Sequence, residues 1–157
     1  MATEKQFAFF QYLFEQENAR GDKLNEYGKN AIALVTGYSG FVLWVAENMK
    51  AHLTDYWVRF LFLDVIGFML IALVAALWAT RLAEYQVLND PEAVVRQFGP
   101  AAMADEAFYD NRIADATVAT QWNSGVNDRK ARWLVVAAAL LVSGIFFHAV
   151  FFVKALF

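Results

Sequence analysis

Trp133 to Val153, WLVVAAALLVSGIFFHAVFFV, contains no Asp, Glu, Lys or Arg. At a rise of about 1.5 Å per residue such a run covers the roughly 30 Å hydrocarbon thickness of a bilayer. Trp133 and Lys154 stand at its two ends, where interfacial anchors belong. A chain carrying this segment is expected to fold in lipid, and the remaining segments are read with that solvent in mind.

Two further apolar runs precede it. Trp57–Thr80 is long enough to cross a membrane and carries one acid, Asp64. A carboxylate at membrane depth costs about 2.5–3.5 kcal/mol, so Asp64 is expected either to face a partner or water, or to sit at headgroup level. Arg59, five residues earlier, does not share its helical face. Residues 30–46, NAIALVTGYSGFVLWVA, are short for a span and hold Thr36, Tyr38 and Ser39 at their middle, with Gly37 and Gly40 allowing close helix approach. Those hydroxyls either pack against other helices or line a water path.

Composition agrees with lipid as the solvent. Hydrophobic residues make up 59% and charged residues 18% of 157 residues, beyond the usual soluble range of about 45–50% and 25%. The net charge of -3 gives no global basic field, so an anionic partner must find a local patch, and stable binding of duplex DNA is not expected. Without cysteine there are neither disulfides nor thiolate metal sites. The N-terminus lacks the three regions of a signal peptide, so the chain is expected to begin at its encoded start.

The expected fold is an all-α membrane protein. Residues 1–29 read as an amphipathic N-terminal helix with Thr3 as its cap, 30–81 as a transmembrane hairpin, 82–132 as a cytoplasmic helical segment, and 133–157 as the C-terminal span. Asn89-Asp90-Pro91-Glu92 reads as a helix start and Gly99-Pro100 as its stop. The helix from Ala101 to Arg132 is expected to break or bend near Ser124-Gly125. No internal repeat is evident. Arg20, Lys23 and Lys29, with the Arg81–Arg132 segment, hold most of the cations, which places the N-terminus in the cytoplasm and the C-terminus in the periplasm.

Signatures of catalysis are missing. The two histidines, His52 and His148, form no metal constellation or triad, and no phosphate loop of the Walker type occurs, so neither an enzyme nor a cofactor or metal is expected. His148, in FFHAVFF, has two readings. In an oligomeric pore it forms a constriction flanked by the Phe147 and Phe151 rings; otherwise it hydrogen-bonds a neighbouring helix. Trp122, Asn123, Asn127, Arg129, Lys130 and Arg132 combine an aromatic plane, amides and cations, the groups that hold a nucleotide, with Lys29 and Arg112 as further members. The same cations also serve as the positive-inside signal.

NEYGKNAIAL leading into the first apolar run and WNSGVNDRKARWL leading into the last resemble the transmembrane effectors of bacterial anti-phage signalling systems, of the Pycsar, SLATT and Hailong types. SLATT-type proteins usually have two spans, one fewer than expected here. The resemblance implies a homo-oligomeric ion channel of the inner membrane that depolarises the host. Its signal would be a nucleotide or short single-stranded oligonucleotide from a partner synthase. The oligomer expected is a tetramer, with Tyr38, Asp64, Phe147, His148 and Phe151 as pore or gate residues. The rival readings are a membrane-anchored scaffold and a small proton-linked transporter that uses Asp64.

Overall fold

The computed structural model describes residues 3–49, 52–81, 85–88 and 106–156, and the described residues are all-helical apart from short connections. Helix α1 runs Glu4–Asn48, α2 Tyr56–Arg81 and α3 Glu106–Leu156, with a 3-10 turn at His52–Thr54. α1 starts on a capping box: Thr3 Oγ1 accepts from the Gln6 N–H at 3.3 Å, and Gln6 Oε1 accepts from the Thr3 N–H at 2.9 Å. α2 starts on Asp55, whose Oδ1 accepts from the N–H groups of Trp57 and Val58 at 2.8 and 3.1 Å.

Two expected boundaries fall inside continuous helices. α1 passes through residue 30 without interruption, so the N-terminal helix and the first apolar run are one element. α3 likewise passes Ser124-Gly125 unbroken. A helical glycine costs only about 1 kcal/mol, and the side chains flanking it are locked in place, as described below. The helix expected between Asn89 and Pro100 lies outside the described residues.

α2 and α3 are long and apolar enough to cross a membrane, whereas α1 does not meet that measure. Only 33% of the most apolar stretch of α2 and 22% of that of α3 is buried, unlike the core helix of a soluble domain. Both observations point to a membrane location.

Burial along the helices follows a period of seven that hydropathy does not display. Phe14, Gly21, Gly28, Val35 and Val42 are the seam of α1; Val58, Val65, Ala72 and Ala79 that of α2; Ala116, Asn123, Lys130, Ala137, Gly144 and Phe151 that of α3. A repeat of seven keeps one face of each helix against its neighbours. The repeat is invisible to a hydrophobicity scan because glycine, alanine, asparagine and lysine fill much of it.

The chain divides into two compact units. One comprises residues 1–24 and 83–128; the other comprises 25–82 and 129–157. In the second, α2 runs antiparallel to the other two helices, since Phe62 packs on Phe151 while Met69 meets Gly144. Val42, Val45, Val58, Phe62, Val65 and Phe151 make one core cluster, and Ala75, Ala76 and Ala137 make another. Small residues are what this packing requires, because lipid is as apolar as leucine and gives helices no hydrophobic reason to associate. Exposed aromatics mark both ends of the unit: Tyr27, Trp78 and Trp133 at one, Trp44, Tyr56 and Trp57 at the other. From Trp57 to Trp78 is 21 residues, about 31 Å of helix.

At Gly144, α3 lies close against α2. A Cβ there would overlap Met69 Cε and stand 3.3 Å from Phe68 Cβ. The Met69 methyl can move aside, whereas Phe68 Cβ cannot without shifting its helix. Gly144→Val is therefore expected to lose about 1–3 kcal/mol of stability, read as a lower thermal midpoint in detergent by circular dichroism. An unchanged midpoint would contradict this contact.

Candidate functional site

The second unit holds a polar pair in an apolar surround. His148 is 1% exposed, and its Nδ1 shares a hydrogen bond of 2.7 Å with the Tyr38 hydroxyl of α1. Phe152 stacks on the imidazole at 4.7 Å, with Phe41 and Phe151 at 5.7 and 5.8 Å. The second ring nitrogen, Nε2, is buried without a hydrogen-bond partner among the described residues. Of the two readings of His148, the bond to a neighbouring helix is present. Phe151 is fully buried beside it, and Phe147 stacks on Phe68 at 5.2 Å. Asp64 is half-buried on α2, with no hydrogen-bond or ion-pair partner among the described residues.

The basic residues divide between the units. Lys29, Arg129 and Arg132 are exposed in the second unit. Lys130, in the same unit, is buried, with Nζ donating to Asn25 Oδ1 at 2.6 Å. Arg112 belongs to the first unit, where it pairs with Asp115 and borders a cavity of about 280 Å³ together with Gln86–Leu88 and Val118. Trp122 is 50% exposed. Asn127 is fully buried and fully bonded, so it serves the fold of the first unit.

That fold rests on two amides one turn apart on α3. Asn123 Nδ2 donates to Asn18 Oδ1 at 2.9 Å and to the Gln86 carbonyl at 3.1 Å, and its Oδ1 accepts from the Gln86 N–H at 2.9 Å. Asn127 Nδ2 donates to the carbonyl and carboxylate of Glu17 at 2.8 and 2.7 Å, and its Oδ1 accepts from the Tyr85 hydroxyl at 2.5 Å. The short 85–88 segment is thus a strap held by side-chain amides in place of a backbone ladder. Gly21 makes room for it, since a Cβ there would lie 2.5 Å from Tyr85 Oη and 3.0 Å from Asn127 Oδ1. Burial, then the Asp22 and Glu17 carboxylates, push the Tyr85 phenol above its ordinary value. Arg20 bridges Glu17 at 3.1 Å and Asp128 at 2.7 Å, and the bond to Asp128 chiefly raises its guanidinium.

Asn123, read as a ligand amide beside Asn127, is buried in the fold instead; Asn18, Tyr85 and Gln86 escape a reading for chemistry because they carry no catalytic signature. One signal was available: Asn18 and Asn25 are seven apart on α1, as Asn123 and Lys130 are on α3. Among the described residues, no group of three or more His, Asp or Glu side chains is placed to hold a metal ion. No protein-family model matches the chain, and neither the curated proteins nor the solved structures contain a match.

Asn123→Ala strands the Gln86 backbone and is expected to destabilise the first unit by about 1–3 kcal/mol, whereas Gly125→Ala, with open space around it, is expected to add about 0.5–1 kcal/mol. Thermal unfolding checks both, and equal midpoints would contradict the strap. The raised Tyr85 phenol sets a pH window. Its contribution is complete below the unfolded value of about 10 and is lost as pH climbs through the higher folded value. The stability gap between the native chain and Tyr85→Phe is therefore expected to shrink on titration upward from pH 9, and a gap that widened would contradict this.

Proposed function

We propose that this chain is a three-span inner-membrane protein whose second unit assembles with copies of itself into an ion-conducting pore. The observation that carries the reading is Asp64, which is half-buried, without a partner among the described residues, and seven residues inside Trp57 on an apolar helix. Seven residues is about 10 Å of depth, where a carboxylate exposed to lipid costs about 2.5–3.5 kcal/mol. A second copy, or water held between copies, removes that cost. The small cross-section of three helices gives the same answer, since a water-filled path needs several such units in a closed ring, of which a tetramer is one.

The third crossing is the apolar half of α1. Val35 and Val42 pack into the same clusters as α2 and α3, while Leu34, Leu43 and Trp44 point outward, as lipid-facing side chains do. Lys29, Arg81, Arg129, Lys130 and Arg132 gather at one end of the unit, which favours a cytoplasmic N-terminus and a periplasmic C-terminus. The exposed cations Lys29, Arg129 and Arg132 are the place for a nucleotide or oligonucleotide signal. Control by such a signal fits an effector that depolarises the membrane in anti-phage defence. A scaffold that conducts nothing is favoured by one observation, the exposed Phe9, Tyr12 and Val118 of the first unit, which suit a protein partner.

Reconstitution in liposomes separates the readings. The pore reading expects an oligomer in lipid and a dye-reported ion flux that nucleotides or short single-stranded oligonucleotides switch, with the switch lost in Arg129→Ala/Arg132→Ala. A monomer in lipid, or tight vesicles with every ligand despite correct insertion, would overturn it in favour of the scaffold.

A further inference from the structure

Trp78 of α2 meets Trp133 of α3 with ring centroids 6.4 Å apart, yet the two indoles remain 55% and 40% exposed. Their contact therefore lies on the outside of the helix pair in the second unit. Arg81 follows Trp78 by three residues, and Arg129 precedes Trp133 by four. Residues three or four apart share a helix face, so each arginine is on the side of its helix that its tryptophan occupies. Because α2 and α3 run antiparallel, both arginines lie in the same direction from the indole contact, about 4.5 and 6 Å of rise beyond it. In the opposite direction, Val74 stands four residues before Trp78 and Val136 three after Trp133, and both are exposed.

Both helices thus present the order Arg, Trp, Val from the end of the unit toward its middle. A phospholipid has the same order of chemistry: a phosphate, then the glycerol esters, then an acyl chain. Guanidinium matches a phosphate oxyanion with paired donors, an indole offers an apolar body and one N–H at the ester level, and an exposed valine suits hydrocarbon. Charge complementarity selects the headgroup. Arg20 and Arg112 each engage a carboxylate, whereas Arg81 and Arg129 are exposed and have no hydrogen-bond or ion-pair partner among the described residues. Two unpaired guanidiniums on one face repel each other, and a phosphodiester between them removes that repulsion. A zwitterionic headgroup would bring an ammonium beside the same two cations, so an anionic one fits better.

We infer that this face of α2 and α3 is a binding site for one anionic phospholipid. The guanidiniums of Arg81 and Arg129 hold its phosphate, Trp78 and Trp133 flank its glycerol, and an acyl chain runs along Val74 and Val136. A bound lipid bridges α2 and α3 at the membrane surface and adds to the indole contact between them. The inference goes beyond the pore reading and needs only that α2 and α3 cross the bilayer. Arg129 also stands among the cations proposed above for a nucleotide signal, because a phosphate oxyanion is common to both ligands. Arg81, Trp78 and Trp133 belong to the lipid alone.

The test uses the full chain in phosphatidylcholine vesicles that contain increasing brominated phosphatidylglycerol, and in parallel brominated phosphatidylcholine, read by tryptophan quenching. The anionic lipid is expected to give a saturable part of the quenching at mole fractions at least about fivefold lower than the zwitterionic lipid needs, the factor that one arginine near a membrane surface supplies. That part should vanish in Trp78→Phe/Trp133→Phe. The preference should be lost in Arg81→Gln/Arg129→Gln, which breaks no hydrogen bond or ion pair of the described fold, and kept in Lys29→Gln, which removes a cation from α1. Equal quenching by the two lipids, a preference that falls as far in Lys29→Gln, or a saturable part that survives loss of both indoles would overturn the site. Displacement of the brominated lipid by millimolar inorganic phosphate would overturn it as well, by assigning the arginines to a free anion. None of these readouts depends on ion flux, so each outcome leaves the pore reading where it stood.

Discussion

Close contact between helices at every seventh residue is the constraint on which the rest of this molecule depends. In lipid, apolar side chains gain nothing by leaving the solvent, so helices stay together only where backbones approach closely or polar groups bond across the seam. Both devices are present. Ala72, Ala75, Ala76, Ala79, Ala137 and Gly144 supply the close approach in the second unit. In the first, Asn123 on the seam and Asn127 one turn on supply the bonds.

The polar groups of the two units do different work. Every buried amide of the strap has its donors and acceptors matched, so Asn123 and Asn127 lock one arrangement of Tyr85 and Gln86 against α1 and α3. A buried network of this kind specifies a unique packing when it is complete. In the second unit, His148 Nε2 and the Asp64 carboxylate have no hydrogen-bond partner among the described residues. A buried polar atom without a partner costs about 1–3 kcal/mol, a cost that the strap does not carry.

Much of the helical class was legible from residue type. The uncharged run ending at Val153 and the long run through Asp64 both lie within helices able to span a membrane, and Thr3 caps α1 as its position implies. The continuity of α1 was not legible, because the amphipathic stretch to residue 29 and the apolar run from residue 30 read as separate elements, nor was that of α3, because Ser124-Gly125 reads as a break when neighbours are unknown. Nor was the heptad, since lipid-facing and seam positions are equally apolar in a span, and in the first unit Gly21 and Asn123 hide the seam instead. His148 and Asp64 stood out as polar residues in apolar runs. That His148 bonds Tyr38 follows only from how α1 and α3 meet, which no single stretch of sequence records. Asn127 and Lys130 looked like ligand groups because a buried amide and a buried ammonium carry the same chemistry as exposed ones.

The proposed pore requires that α1, α2 and the C-terminal half of α3 each cross the bilayer. The absence of native cysteine makes this directly measurable by single-cysteine substitutions at Lys29, Asn48, Arg132 and Lys154, labelled in intact cells with a membrane-impermeant maleimide. Three crossings predict that Asn48 and Lys154 react from outside while Lys29 and Arg132 react only after permeabilisation. Labelling of Lys29 and Asn48 from the same side would contradict the account, because Tyr38, which bonds His148, would then lie on a helix that does not cross the membrane.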